Sequence, residues 1–278
     1  MRTIAHLSDL HFGRTDPDVV RGACEAVNRM KPDLVVISGD LTQRARSHQF
    51  RAARSFLDRL PRPQVVVPGN HDIPLWNLFA RSFSPLRKYR RIVTPDLSPF
   101  FADGEIAVLG LNTARSLTIK DGRINRRQID LAVSRFSTGE PHCVRILVTH
   151  HPFDQPDKGD AGDIVGRAVL AMNAIGSKVD LILSGHLHLA RTGSSAVRYP
   201  GSGALLVLAG TATSTRVRGE PNAFNRIVLD SDQLTLERLE WDRATQTFSP
   251  AATEHFTRSH GGWQATSDSA LRSVPEYS

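Results

Sequence analysis

The sequence is poor in cysteine: Cys24 and Cys143 are the only two in 278 residues, far apart and without a CxxC partner. That excludes a disulfide framework and a cysteine-held zinc ion, and predicts two free thiols in a reducing compartment. No stretch approaches the roughly 18 uninterrupted apolar residues of a membrane span. The opening residues, Met1-Arg2-Thr3-Ile4-Ala5-His6-Leu7, hold no basic region, apolar core and small-residue cleavage site. A secretory leader is not expected there, and a cytoplasmic location is. Aromatic residues make up 6% and do not interleave with basic ones. That argues against a stacking platform for single-stranded nucleic acid.

What is present is ordinary for a globular chain: 40% hydrophobic and 23% charged residues. A chain of this length forms one large domain or two small ones, and buries about three quarters of its unfolded surface. The net charge is +7. Such a balance favours anionic partners such as phosphates, nucleic acid or a membrane surface, with a solvated arginine-rich surface as the equal alternative.

Short apolar or β-branched runs recur along the chain. They are 3–7, 34–37, 64–67, 106–111, 144–148, 181–183, 205–208, 226–229 and 234–239. Bounded by Gly, Pro, Asp or Asn, they predict strands. Helical patterns fall at 17–29, 46–60, 125–136 and 163–175, the first with Asp16 as cap and Pro17 at its first position. Alternation of this kind predicts an α/β architecture. The last three strands follow one another without helices, so the C-terminal third is expected to be antiparallel. The segment 84–104 has no clear period and predicts a long loop or small cap.

The chemistry-bearing residues sit where these strands end. Asp9 and His11 follow the first, Asp40 the second, and Asn70, His71 and Asp72 the third. His150 and His151 follow the fifth, and His186 and His188 the sixth. In open α/β sheets ligands bind outside the carboxyl ends of strands, so residues far apart in sequence converge on one edge. Carboxylate, imidazole and amide oxygen donors suit Mn, Fe, Zn or Co. They are too many for one ion and about right for two that share a carboxylate. A glycine precedes Asp40, Asn70 and His186, which allows sharp turns and close backbone approach. Singly, Asp-x-His and Gly-Asp are ordinary turn chemistry. Together, in this order and each at a strand end, they are not.

The blocks Asp9-Leu10-His11, Gly39-Asp40, Gly69-Asn70-His71-Asp72, His150 and Gly185-His186-Leu187-His188 resemble the signature of the calcineurin-like metallophosphoesterases. The resemblance implies an α/β fold, a four-layer α-β-β-α sandwich of two mixed sheets flanked by helices. It would occupy 1–248, with 84–104 as a loop or cap and 249–278 as a peripheral C-terminal extension. It implies two divalent metal ions. Asp9, His11 and His188 would hold one, Asn70, His150 and His186 the other, and Asp40 would bridge them. His71 would face the substrate phosphate as the catalytic imidazole, with Asp72 orienting it. Hydroxide shared between the ions would attack phosphorus in line with the leaving oxygen.

The wording of the blocks further resembles class III cyclic-nucleotide phosphodiesterases and related glycerophosphodiester hydrolases. Small phosphodiesters are therefore the expected substrates. A repair-type nuclease, a phosphomonoesterase and a lipid-precursor pyrophosphatase are the alternatives. The last would need an apolar groove, which Phe79, Phe83, Phe100 and Phe101 could supply. Nucleic acid is not the favoured partner, and a homodimer stays open. Asn70 and His71, with Asn112 at the end of another strand, are the substrate-binding candidates. His151 reads as a supporting residue rather than a ligand. The basic cluster Arg87, Lys88, Arg90 and Arg91 reads as a solvated loop first and an anion grip second, and Arg216 and Arg218 read the same way.

Overall fold

The computed structural model describes residues 1–75, 78–116, 121–138, 142–155, 164–216, 219–259 and 261–266. Arg218, Asp163 at the expected start of the fourth helix, and the last twelve residues of the expected extension lie outside them.

The chain begins with β1 (Arg2–Leu7), α1 (Pro17–Met30), β2 (Leu34–Ile37), α2 (Ser47–Asp58) and β3 (Gln64–Val66). Next come α3 (Leu78–Phe83), α4 (Arg87–Ile92), β4 (Phe100–Ala102), β5 (Ile106–Gly110) and α5 (Arg126–Ser137). Then follow β6 (Val144–Val148), α6 (Ala168–Ile175), β7 (Leu181–Ser184), β8 (Arg191–Ser194) and β9 (Leu205–Leu208). The chain closes with β10 (Ala223–Leu229), β11 (Gln233–Asp242), β12 (Thr247–Ser259) and β13 (Gly262–Ala265). Helix α1 starts where the sequence places it: the Asp16 side chain accepts the Asp18 N–H, and Pro17 needs no donor at that position.

Two mixed sheets result, ordered β13-β12-β11-β10-β1-β2-β3 and β4-β5-β6-β7-β9-β8. The two-residue period decides which side chains meet. Ile4, Val36, Val108, Ile146 and Leu183 point between the sheets and form one buried layer. Their neighbours Ala5, Val35 and Ile37 face α1 and α2 on one outer side. Leu109, Leu147 and Ile182 face α5 and α6 on the other. The expected four-layer α-β-β-α sandwich is thus the observed fold. Both buried cysteines are free thiols. No helix among the described residues is long and apolar enough to cross a membrane.

Three expectations are corrected. The segment 84–104 is not an irregular loop. It contains α4, anchored by fully buried Tyr89 whose hydroxyl donates to the Val66 carbonyl at 2.9 Å, and the edge strand β4. The stretch from 249 to 266 is not peripheral. It forms most of β12 and all of β13, and buries Phe256 and Trp263 between the sheets. The C-terminal third is not wholly antiparallel: β8 with β9 and the strands from β10 onward pair so, but β9 also pairs parallel with β7.

Strands β1, β2 and β3 run parallel in one sheet, and β5, β6, β7 and β9 in the other. Their carboxyl ends meet at one edge of the sandwich, where the His186 N–H donates to Asp9 Oδ2 at 2.9 Å across the two sheets.

Candidate metal centre

The strand ends turn into the site through unusual backbone. Asp9, His11, Asp40, His186 and His188 all have positive φ, between 50° and 75°. Asp and His tolerate this left-handed region better than most side chains, yet each such residue costs on the order of 1–3 kcal/mol. Gly39 shares it at φ 104°. A Cβ on Gly69 would stand 2.1 Å from Asp40 Oδ1, so only glycine lets the third strand's turn close on that carboxylate.

The residues converge as two donor groups. Asp9, His11 and His188 bring ligand atoms within 4.8 Å of one another, and so do His150, His151 and His186. Asp40 belongs to both sides, grouping with Asp9 and His150 and also with His11 and His71. Asn70 joins the second group through Oδ1, 3.1 Å from His150 Nε2. On the first side, His11 Nε2 and His188 Nε2 face each other at 3.1 Å. Buried Asp9 Oδ1 lies 3.4 and 3.2 Å from those nitrogens and has no hydrogen-bond partner. An orphaned carboxylate oxygen among convergent imidazole lone pairs fits a divalent cation with nitrogen and oxygen ligands.

Backbone carbonyls set the tautomers. His150 Nδ1 donates to Ser38 at 2.8 Å, His188 Nδ1 to Arg216 at 3.1 Å, and His71 Nδ1 to Gln43 at 2.9 Å. Each ring therefore turns its Nε2 into the site, the arrangement that metal-ligating imidazoles require. Burial opposes ionisation of Asp9 and Asp40. The imidazoles His188 and His11 around Asp9, and His150 and His71 around Asp40, overcome it and hold both carboxyls below the usual range. Burial also opposes charge on His150, yet the Asp40 carboxylate pushes it up to about 9. The centre thus favours anionic carboxylates beside positive charge, which a bound cation would supply in place of protons.

His71 sits at the rim, half-buried, its ring centroid 4.9 Å from that of His11. Its Nε2 lies 3.3 Å from Arg216 Nη1. Its backbone N–H donates to Asp40 Oδ1 at 2.9 Å. Asp72 does not touch the His71 ring as expected. Its buried carboxylate accepts from the N–H groups of Leu41, Thr42 and Gly69 and from Thr42 Oγ1, at 2.9–3.1 Å. It braces the backbone that carries Asp40 and His71, and the Gln43 carbonyl orients the imidazole. The Asn112 Oδ1 accepts from the Ala114 N–H at 3.0 Å, and the residue lines a neighbouring cleft.

Two residues do more than the sequence indicated. His151 is fully buried within the second donor group, with Nδ1 2.8 Å from Thr113 Oγ1. Arg216 is delivered by the loop after β9, which is stitched to the loop after β1. Ala212 donates to the Ser8 carbonyl, and Thr211 and Thr213 hydroxyls donate to those of Asp9 and Leu10, at 2.7–3.0 Å.

A sandwich with two donor groups at the shared carboxyl edge of its sheets defines a phosphoesterase of the metal-dependent kind. The chain belongs to the calcineurin-like phosphoesterases, whose family model matches residues 2–190. It is 28% identical over 208 residues to a probable cyclic nucleotide phosphodiesterase of Synechococcus sp., covering 68% of this chain and 74% of that protein. It is 35% identical over 80 residues to the glycerophosphodiester phosphodiesterase GpdQ of Enterobacter lignolyticus, covering 25% of this chain and 29% of that one. The purple acid phosphatase PPD1 of yellow lupin superposes with a TM-score of 0.64 at 13% identity, over 86% of this chain and 51% of the other, a likeness of fold.

Proposed function

We propose that the chain hydrolyses small phosphodiesters, of the cyclic-nucleotide or glycerophosphodiester kind, with two divalent cations from the set Mn, Fe, Zn and Co. Asp9, His11 and His188 would hold one ion and Asn70, His150 and His186 the other, with Asp40 shared. Bound there, the ions would activate water and neutralise charge on the phosphoryl oxygens.

The chain's own residues supply the rest. His71 Nε2 is the other nitrogen of a ring whose Nδ1 is tied to Gln43, so once protonated it is placed to give that proton to the leaving oxygen. Arg216 Nη1, beside it, is placed to bind a phosphoryl oxygen. Asp72 ties together the two turns that bear the acid and the imidazole. The observation that carries hydrolysis of a phosphoester is this imidazole and guanidinium pair on the rim of a two-group donor set. The choice of diester over monoester rests on what the similar proteins are named for.

The test is to strip metal, add back Mn²⁺, and compare bis(p-nitrophenyl) phosphate with p-nitrophenyl phosphate. Metal-dependent turnover that favours the diester by tenfold or more is the expected result. A preference for the monoester would move the chain to the phosphomonoesterases.

A further inference from the structure

Beside the metal centre lies a cleft of about 620 Å³ between α3–α4 and the loop after β5, within the size range of small-molecule sites. Four arginines line it: Arg87, Arg90 and Arg91 from α4, and Arg115 from the loop. No acidic side chain does, among the described residues. Several surface arginines elsewhere are paired, as Arg2 is with Asp103, Arg54 with Asp58, Arg126 with Asp130 and Arg226 with Glu237. The side chains of Arg87, Arg90 and Arg91 make no ion pair with any described residue. Spacing of three and four residues puts them on one helix face. The opposite face is held down by buried Tyr89, and Lys88 Nζ donates to the Ala45 carbonyl at 3.0 Å. Arg115 donates to Gln128 Oε1 at 2.6 Å, and burial together with the charges of Arg123 and Arg167 pushes its pKa down. Positive charge is therefore concentrated here without compensation.

The walls are not only basic. Phe83, Leu86, Pro95 and Leu97 give the cleft apolar surface, and Asn112 adds an amide. Phe83 is 74% exposed and packs at a tilt against Phe79, with ring centroids 4.7 Å apart. A bare inorganic anion would leave that surface unused. Guanidinium forks match phosphate oxygens, and an exposed aromatic face beside them suits a flat ring. The cleft is also distinct from the metal centre. Asn112 faces it, whereas the next residue, Thr113, turns to His151 in the second donor group.

We propose that this cleft is a second ligand site that takes a ring-bearing organic phosphate of nucleoside monophosphate size, bound by Arg87, Arg90, Arg91 and Arg115 against the apolar wall. It requires nothing of the catalytic reaction.

The test is equilibrium dialysis of the metal-loaded protein against AMP at low salt, where arginine–phosphate attraction is least screened. The wild type and an R90A/R91A double variant are compared. The variant is expected to bind one AMP fewer per chain, or to bind it at least tenfold more weakly. Its turnover of bis(p-nitrophenyl) phosphate should stay within twofold, which also shows that it is folded. Inorganic phosphate, as competitor, should displace the cleft-bound AMP only at concentrations tenfold or more above those of AMP itself. Equal stoichiometry and affinity in the two proteins would overturn the site. Equal potency of inorganic phosphate would overturn the ring-binding part and leave a basic patch. If neither protein turned over the diester, the proposed activity would fail while the loss of one AMP site would still be read.

Discussion

The Asp40 carboxylate accepts the backbone N–H of His71 at 2.9 Å. The acid shared by the two donor groups and the imidazole at the rim are thereby one mechanical unit, braced from behind by Asp72. Removing Asp40 disturbs both. We expect Asp40→Ala to lower bound metal measured by elemental analysis and to reduce diester turnover by a hundredfold or more. Adding His71→Ala on top should cost much less than it does alone, since residues acting as a unit are not additive.

His71→Ala by itself should keep the metal content and lose about 10²–10⁴-fold in kcat, the usual weight of a positioned acid–base group. An activated diester with a good leaving group should suffer less than an alkyl diester. Equal loss on both would remove the proton-donor role.

Arg216→Ala separates two contacts of one residue. Its carbonyl, which orients His188, survives the substitution, and its guanidinium near His71 does not. Metal content should be unchanged while kcat/KM for the diester falls about 10–100-fold, below the loss for a main oxyanion donor. Loss of metal in this variant would contradict the division.

Phe256→Ala tests whether the end of the chain belongs to the core. Phe256 lies between the sheets at 6% exposure. A buried aromatic reduced to alanine costs about 3 kcal/mol or more, read as a lower urea midpoint. A peripheral tail would show almost none of this.

His6 gives a pH signature. It is fully buried on β1 with Nε2 2.9 Å from Ser38 Oγ, and burial pushes its pKa down to about 3 from 6.5. Its folded form resists a proton that the unfolded chain accepts. The stability it contributes is therefore complete above about pH 6.5 and is lost progressively as pH falls toward 3. Between those limits His6→Gln should lower the slope of unfolding free energy against pH by about 1.4 kcal/mol per unit, one proton's worth. An unchanged slope would show that His6 is not kept neutral.

Much of the site is visible in the sequence because each donor follows a strand, and parallel strands have one carboxyl edge. The donors' identity and order carry the family resemblance, which implies the sandwich, and the alternation of runs carries the α/β class. What was hidden acts through the backbone. The carbonyls of Gln43, Ser38 and Arg216 orient three imidazoles, and a carbonyl has no letter of its own. Arg216 reaches His71 only because the loop after β9 is sewn to the loop after β1. The tail was misread for a local reason. Pro250 breaks the run, but β12 admits it at a register shift opposite Arg238 and Leu239, where a bulge tolerates a residue without an N–H. Helix α4 went unseen because its six residues are mostly basic and only Tyr89 anchors them deeply.

The left-handed backbone at Asp9, His11, Asp40, His186 and His188 filters sequence twice over. A replacement there must offer a ligand atom and also accept a conformation that branched or bulky residues refuse. Glutamate, chemically able to bind the same ions, is poorly placed on the second count. Because folding rather than ligand capture bears this strain, the arriving ion meets donors already aimed and has little chain left to organise. Metal should then show up less as a change of shape than as a stiffening of one edge of the sandwich.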